Sequence, residues 1–302
     1  MTFITEDWLR DNFTLSEGSE IHLPADSRMT PSARELIESR RLQVKFQDKQ
    51  GRLFVETPDE SGKTETAAPD LKAVHGLTSK DKADVAACEL CHQPVAKKPD
   101  TLTHLNGHTM VAKNDPRLAF RAALDATIAE AVWLQTEFAQ TPLKGWLADI
   151  RSVLGNIMRA DALNEPLAEQ SIADLNADEL HKLSHNPLKY LGHDHIVPDV
   201  SHGRDAAALN LLRTKVRETE ISAARIYIDC YFQVIRPDIM QALNRLSSAV
   251  YVLMVMVVRE GGVMTTPALK QALMKGGTHA LGTMPSAGTT YPAAGGSAGC
   301  AG

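Results

Sequence analysis

Residues 201–220, SHGRDAAALNLLRTKVRETE, and residues 236–258, RPDIMQALNRLSSAVYVLMVMVV, decide the fold. From the first stretch into the residues that follow it, Leu209, Leu212, Val216 and Ala223 recur at helical spacing, while Asn210, Arg213, Arg217 and Glu220 recur at i, i+3, i+7 and i+10 on another face. The second opens with Pro237, which suits the first helical position, and ends in the apolar run Ala249–Val258. Two long helices are expected, over about 202–230 and 237–260. Arg213 and Arg217, one turn apart, are able to clamp consecutive phosphates through paired guanidinium donors. The alternative is a solvated face on which Arg and Glu exchange weak ion pairs. Asn244, Arg245, Ser247 and Ser248 precede the apolar run, either as ligand contacts or as an exposed first turn and a half.

Working back from these helices, Asp115 followed by Pro116 predicts a helix start, with apolar positions continuing to about Gln140. A second helix is expected over Lys144–Leu163. Asn176 with Glu179 reads as a capping box for a short helix that ends before Pro187, and the segment from Asn186 to Val200 reads as a loop. These are five helical segments, enough for a bundle. Only 5% of residues are aromatic, which favours a core of Leu, Ala, Val and Met on helices over a β-sandwich. A net charge of −5 lacks the basic excess that nucleic-acid phosphates require. The apolar run is ten residues, short of the roughly 20 needed to cross a bilayer, and is read as buried helix. No apolar signal region follows Met1, so a cytoplasmic protein is expected.

Toward the N-terminus, a strand is expected at Glu20–Pro24, a helix opening at Thr30 and Pro31, and a returning strand through Leu42, Val44 and Phe46, together a small α+β unit. Residues 56–69 are polar and read as a linker. The following segment holds His75, Cys88, Cys91 and His92. A Cys-x-x-Cys pair converges two thiolates on one cation, and a His can complete an N/S site for a divalent ion. The rival reading is an idle or redox pair. His193, Asp194, His195 and His202 form a second polar group, more ordinary as surface residues than as metal ligands or an acid–base pair. Neither GxxxxGK[ST] nor a GxGxxG entering a helix is present, so a nucleotide site needs another scaffold. From about Gly276 the chain is rich in Gly, Ala, Ser, Thr and Pro, and is expected to be disordered.

Taken together, FITEDWLR, EIHLPADSRMTPSARELIESR, CELCHQPVAKKPDTLTHL, DPRLAFRAALD, LGNIMRADAL and the two helical stretches resemble the EutT-type cobalamin adenosyltransferases over about residues 3–260. The last two helices are also similar to the wider PduO-related group, with its Arg-Thr-x-x-Arg-x-x-Glu and Leu-Asn-Arg-Leu-Ser patterns, here Arg213–Glu220 and Leu243–Ser247.

The resemblance implies a mainly α fold, a five-helix up-and-down bundle of the cobalamin adenosyltransferase kind, preceded by a small α+β, metal-binding N-terminal region. The expected divisions are 1–69, the α+β unit and linker; 70–112, the His/Cys segment; 113–262, the catalytic bundle; and 263–302, a short helix and disordered tail. It implies transfer of the 5′-deoxyadenosyl group of ATP to cob(I)alamin, with ethanolamine ammonia-lyase using the product. The alternative is a non-enzymatic, metal-organised docking protein of the same pathway. Arg217, Arg213 and Asn244 would be catalytic, and Arg213, Arg217, Glu220, Asn244 and Arg245 would bind ATP. The group's N-terminal Gly-rich loop is not found, which leaves Lys97, Lys98, Lys113 and Arg117 as candidates for the triphosphate. His75, Cys88 and Cys91 match a metal motif, but Ala87 stands where the motif has a further Cys, and the substitute donor is either His92 or water. Ferrous iron or zinc is the implied metal, with Mg2+ accompanying ATP. A homodimer, a corrinoid reductase as partner, contact with the ethanolamine ammonia-lyase machinery and association with its microcompartment are also implied; nucleic acid and membrane are not.

Overall fold

In the computed structural model residues 2–56, 71–73, 85–139 and 141–275 are described. Side-chain caps set the helix starts that the sequence announces. Thr30 accepts from the Ala33 N–H at the start of α2, Pro31–Ser39, and Asp115 accepts from the Arg117 N–H at the start of α3, Pro116–Glu137. Asn176 and Glu179 form a reciprocal capping box at α5, Ala177–His185. Between them α4, Leu143–Leu163, ends on Asn164 in the left-handed conformation. A short α6, Pro187–Leu191, follows, so the expected loop from Asn186 begins as a helical turn. Pro187 is the reason, since a proline seats readily at a first helical position. The long helices are α7, Gly203–Tyr227, and α8, Pro237–Val258. A short α9, Thr266–Lys275, comes last.

The chain is mainly helical. Four long helices close a ring, α3 against α4 and α7, and α8 against α4 and α7. Paired side chains show that neighbours run antiparallel: Arg121 to Asp161 between α3 and α4, Thr127 to Thr219 between α3 and α7, and Asn244 to Glu220 between α7 and α8. The fifth segment, α5, is nine residues laid on α8, so the ring is closed by four staves and not five. Leu209, Leu212, Val216 and Ala223 of α7 are all fully buried, as their spacing predicts. By length and a mean hydropathy of 1.4, α8 could pass for a membrane span, but 56% of that window is buried inside the protein. Its run from Ala249 to Met256 is core against the other helices, Tyr251 alone being partly exposed.

The N-terminal unit pairs β1, Thr2–Ile4, with β3, Ser27–Met29, and builds a four-stranded sheet in the order β2, β4, β5, β6. Here β2 is Glu20–Pro24, β4 is Gln43–Gln47, β5 is Leu53–Glu56 and β6 is Leu71–Ala73. The β2 and β4 strands are parallel, joined through α2. A helix that the sequence reading lacks, α1, Glu6–Asn12, is capped by Thr5. Ile4, Leu9, Ile21, Leu23, Ile37 and Phe46 make this unit's own core. A third sheet, β7, Ala87–Cys88, beside β9, Thr109–Ala112, and β8, Leu102–His104, carries the two close cysteines. Most of the expected linker, His75 and the Gly-rich tail lie outside the described residues.

The N-terminal unit is seated on α4 by buried polar contacts. Asp149 accepts from Thr14 Oγ1 at 2.8 Å, Ser16 Oγ at 2.6 Å and the Ala173 N–H at 2.7 Å. Asp174 receives Arg40 from this unit and Lys270 from α9, the latter at 2.7 Å.

Candidate active site

Because α7 and α8 run antiparallel with Glu220 level with Asn244, helical geometry sets Arg217 beside Ser247 and Ser248, and Ala224 beside Met240. These residues line a cavity of about 580 Å³, closed on its third side by His181 and His185 of α5. Arg245 lines it as well. Asn244 Nδ2 donates to Glu220 Oε1 at 3.0 Å, and Arg245 donates to His181 Nδ1 at 2.7 Å.

The electrostatics are those of an anion site. Among the described residues neither Arg213 nor Arg217 has an ion pair; Arg213 Nε donates to the Asn210 side-chain oxygen at 3.1 Å. The feared exchange of ion pairs along α7 is therefore not what this stripe does: Glu220 turns to Asn244 on the neighbouring helix. Burial first, and then the adjacent Arg217 cation, push the Arg213 guanidinium below its ordinary pKa. Two like charges without a counter-ion are a cost that a bound polyanion relieves. His181 is pushed down likewise, by burial and by the cations of His185 and Arg245.

The sequence-nominated residues do not all converge. Arg217, Glu220, Asn244 and Arg245 share the cavity, and Arg213 sits one turn along from Arg217. Arg117 does not join them. Its guanidinium is filled by two carboxylates, Glu89 at 2.9 and 2.5 Å and Asp115 at 2.9 and 2.7 Å, which hold it charged above its ordinary pKa. It ties the Cys88–Cys91 turn to the start of α3, with four of its five N–H donors and its charge committed to these carboxylates and not to a triphosphate. Lys113 is exposed, its backbone bonded to Thr101, and does not line the cavity. His181 and His185 went unnoticed in the sequence, although their spacing of four on an amphipathic helix was a usable signal.

A larger cavity of about 1180 Å³ lies between the N-terminal unit and α4, lined by Trp8, Phe13, His22, Lys144 and Asp149 among others. Size does not make it the reactive site, because its buried carboxylates are already satisfied: Asp149 by Thr14, Ser16 and Ala173, and Glu20 by His22 and Lys45. None of the arginines nominated for phosphate reaches it.

At the Cys-x-x-Cys turn, Cys88 is half-buried and Cys91 exposed. The Cys88 thiol is pushed below its ordinary pKa by the N–H groups of Cys91 and Leu90 and by the Cys91 thiol. Amides aimed at a sulfur prepare it as a thiolate, the form that ligates metal. Among the described residues no third His, Cys, Asp or Glu gathers with the pair, so His92, which has φ +56° and is exposed, does not complete a ligand set. His75 lies outside the described residues. In the other polar loop His195 bridges Tyr251 and the His185 carbonyl, fastening the loop to α8 and α5. Among the described residues it gathers with no His, Cys, Asp or Glu group able to hold a metal.

Comparison with known proteins adds a lineage to this geometry. The family described as corrinoid adenosyltransferase EutT N-terminal domain matches residues 3–68, and the family described as cobalamin adenosyltransferase matches residues 95–257. The corrinoid adenosyltransferase EutT of Salmonella typhimurium is 67% identical over 254 residues, covering 84% of this chain and 91% of that protein. The protein of the same name from Escherichia coli matches to the same extent. Among solved structures, a variant PduO-type ATP:corrinoid adenosyltransferase from Lactobacillus reuteri, complexed with cobalamin and ATP, is 20% identical and covers 49% of this chain and 83% of that one, with a TM-score of 0.37.

Proposed function

The chain belongs to the EutT family of corrinoid adenosyltransferases, and from that premise we propose that the α7/α8 cavity binds ATP and transfers its 5′-deoxyadenosyl group to cob(I)alamin. The enzyme is a transferase. In the reaction the electron pair on Co(I) forms the cobalt–carbon bond, the C5′–O bond breaks, and triphosphate leaves with that bond's electrons. The observation that carries the reading is the pair of guanidinium groups, Arg213 and Arg217, without carboxylate partners among the described residues and beside a cavity that also holds Asn244 and Arg245. Guanidinium groups waiting there stabilise the charge that develops on the departing phosphate chain. Holding C5′ near cobalt turns a bimolecular attack into a local one.

Cys88 and Cys91 suit a thiophilic divalent ion, ferrous iron or zinc, with His75 as the sequence-nominated third ligand. Such an ion would cross-link a segment that has little apolar core of its own. A subunit contact near the cavity is supported by the exposed Tyr231, Phe232 and Ile235 on the turn after α7, since apolar side chains this open favour a covering partner. We read the assembly as a homodimer that works in the cytoplasm, supplied by a corrinoid reductase and feeding ethanolamine ammonia-lyase.

The direct test mixes purified protein with ATP and chemically reduced cobalamin and follows the Co(I) absorption. Loss of that band with formation of a light-sensitive alkylcobalamin and free triphosphate is expected. Release of ADP, or a stable Co(I) spectrum, overturns the reading.

A further inference from the structure

We propose that α5 supplies a third wall of the ATP site, with His181 and His185 binding oxygens of the phosphate chain, which fixes the direction in which the nucleotide lies. The proposal rests on ATP occupying the α7/α8 cavity.

The direction follows from a gradient along the cavity. Arg217, Ser247, Ser248, Arg245, His181 and His185 gather at one end, and Ala224, Ile228 and Met240 at the other. Glu220, the cavity's one carboxylate, stands between them and is engaged with Asn244. A nucleoside triphosphate has the same polarity, a charged chain at one end and a flat, weakly polar base at the other. The matching orientation lays the phosphates toward α5 and the adenosine toward Met240.

The two histidines are prepared for this by their partners. Arg245 lies 2.7 Å from His181 Nδ1, and a guanidinium only donates, so that nitrogen carries a lone pair and the proton sits on Nε2. His181 therefore offers an N–H donor while its partner adds a full positive charge. His185 Nδ1 lies 3.0 Å from the His181 carbonyl oxygen, which only accepts, so this ring donates backward along α5, and its Nε2 meets a phosphate oxygen as a second donor only when that nitrogen carries a proton too. The rings face one another with centroids 3.9 Å apart, held one turn from each other on a capped helix. Phosphate oxygens are the acceptors such an array selects, since Glu220 is already engaged and the other ionisable side chains that line the cavity are nitrogen donors, Asp178 lying near His181 but outside the lining.

Two half-ligands test the claim on the full-length protein: inorganic tripolyphosphate for the polar end and adenosine for the apolar end, each titrated by calorimetry. His181→Ala is expected to weaken tripolyphosphate binding about ten-fold, the worth of one hydrogen bond to a charged group, and to leave adenosine unchanged. His181→Gln, whose amide N–H reaches a similar place, is expected to restore most of the loss. Equal losses for both half-ligands would mean that α5 had merely loosened, and would overturn the inference. Arg217→Ala separates the two levels of the argument. If it weakens ATP binding while His181→Ala and His185→Ala change nothing, the α5 wall is wrong and the ATP site stands. If Arg217→Ala also leaves ATP binding intact, the site itself is misplaced.

Discussion

Asn244 on α8 donates its side-chain N–H to Glu220 on α7 across 3.0 Å, at the midpoint of the cavity. The bond joins the two helices and masks a carboxylate that would otherwise repel the nucleotide. Asn244→Ala unmasks it, and the KM for ATP is expected to rise about ten-fold, the order of one charged hydrogen bond. Asn244→Asp adds a second carboxylate and should be worse than Ala. Steady-state kinetics in which Asp is the milder change would contradict this account.

Arg217 is exposed and, among the described residues, has no ion pair, so its loss should leave the fold alone. Arg217→Ala is expected to stay within about 0.5 kcal/mol of the parent in chemical denaturation. Turnover should fall on the order of 100-fold, as for loss of one preorganised donor to a developing oxyanion. Rate and stability measured on the same preparation decide it.

The thiol pair predicts a metal inventory. Protein purified without air should carry iron or zinc, and Cys88→Ala or Cys91→Ala should remove most of it. His92→Ala should change the content little, because His92 does not gather with the thiols. Elemental analysis showing metal retained without either cysteine would leave the pair idle.

Asp149 gives a pH signature. Complete burial pushes its carboxyl up from the ordinary 3.8 to about 6, against the pull of Ser16, the Ala173 N–H and Thr14. The folded form thus holds its proton more tightly than the unfolded chain. The stability this contributes is whole below about pH 4 and is lost as pH rises through 6, by roughly 2 to 3 kcal/mol. Asp149→Asn, which cannot ionise, should flatten the urea midpoint against pH over that window. An unchanged slope would reject the assignment.

Gly145 offers a steric test of the same junction. A Cβ there would come within 2.8 Å of Thr14 Cγ2, and Thr14 is pinned by its hydroxyl to Asp149. Gly145→Ala should therefore destabilise by about 1 to 2 kcal/mol, overriding a helix-propensity gain of about 1 kcal/mol. Thr14→Ser deletes the offending methyl and keeps the hydroxyl, so the double variant should recover. Thermal melts of the three proteins show whether it does.

The helices were legible in the sequence wherever a cap and a period coincided, as at Thr30 with Pro31, Asp115 with Pro116 and Asn176 with Glu179. The seven-residue α1 was not, because it is too short to show a period. Half the cavity could be read from α7 and α8 alone, since Arg217, Glu220 and Asn244 sit on long helices whose faces the spacing fixes. The wall from α5 could not, because it depends on which helix lies against α8. Arg117 misled for the complementary reason: an arginine near a helix start looks available until Glu89, 28 residues earlier, is seen to fold onto it. Asp149 in WLADIRSVL was the overlooked clue, a charge set among side chains that become core.

Asp174 receives a cation from each extremity of the described chain, Arg40 near the beginning and Lys270 near the end. During synthesis the first unit emerges from the ribosome long before its latch exists. It must wait, with its own small core formed, for α4 and Asp174, which supply the partners of Thr14, Ser16 and Arg40; α9 arrives later and adds Lys270 as a second cation on a junction already made.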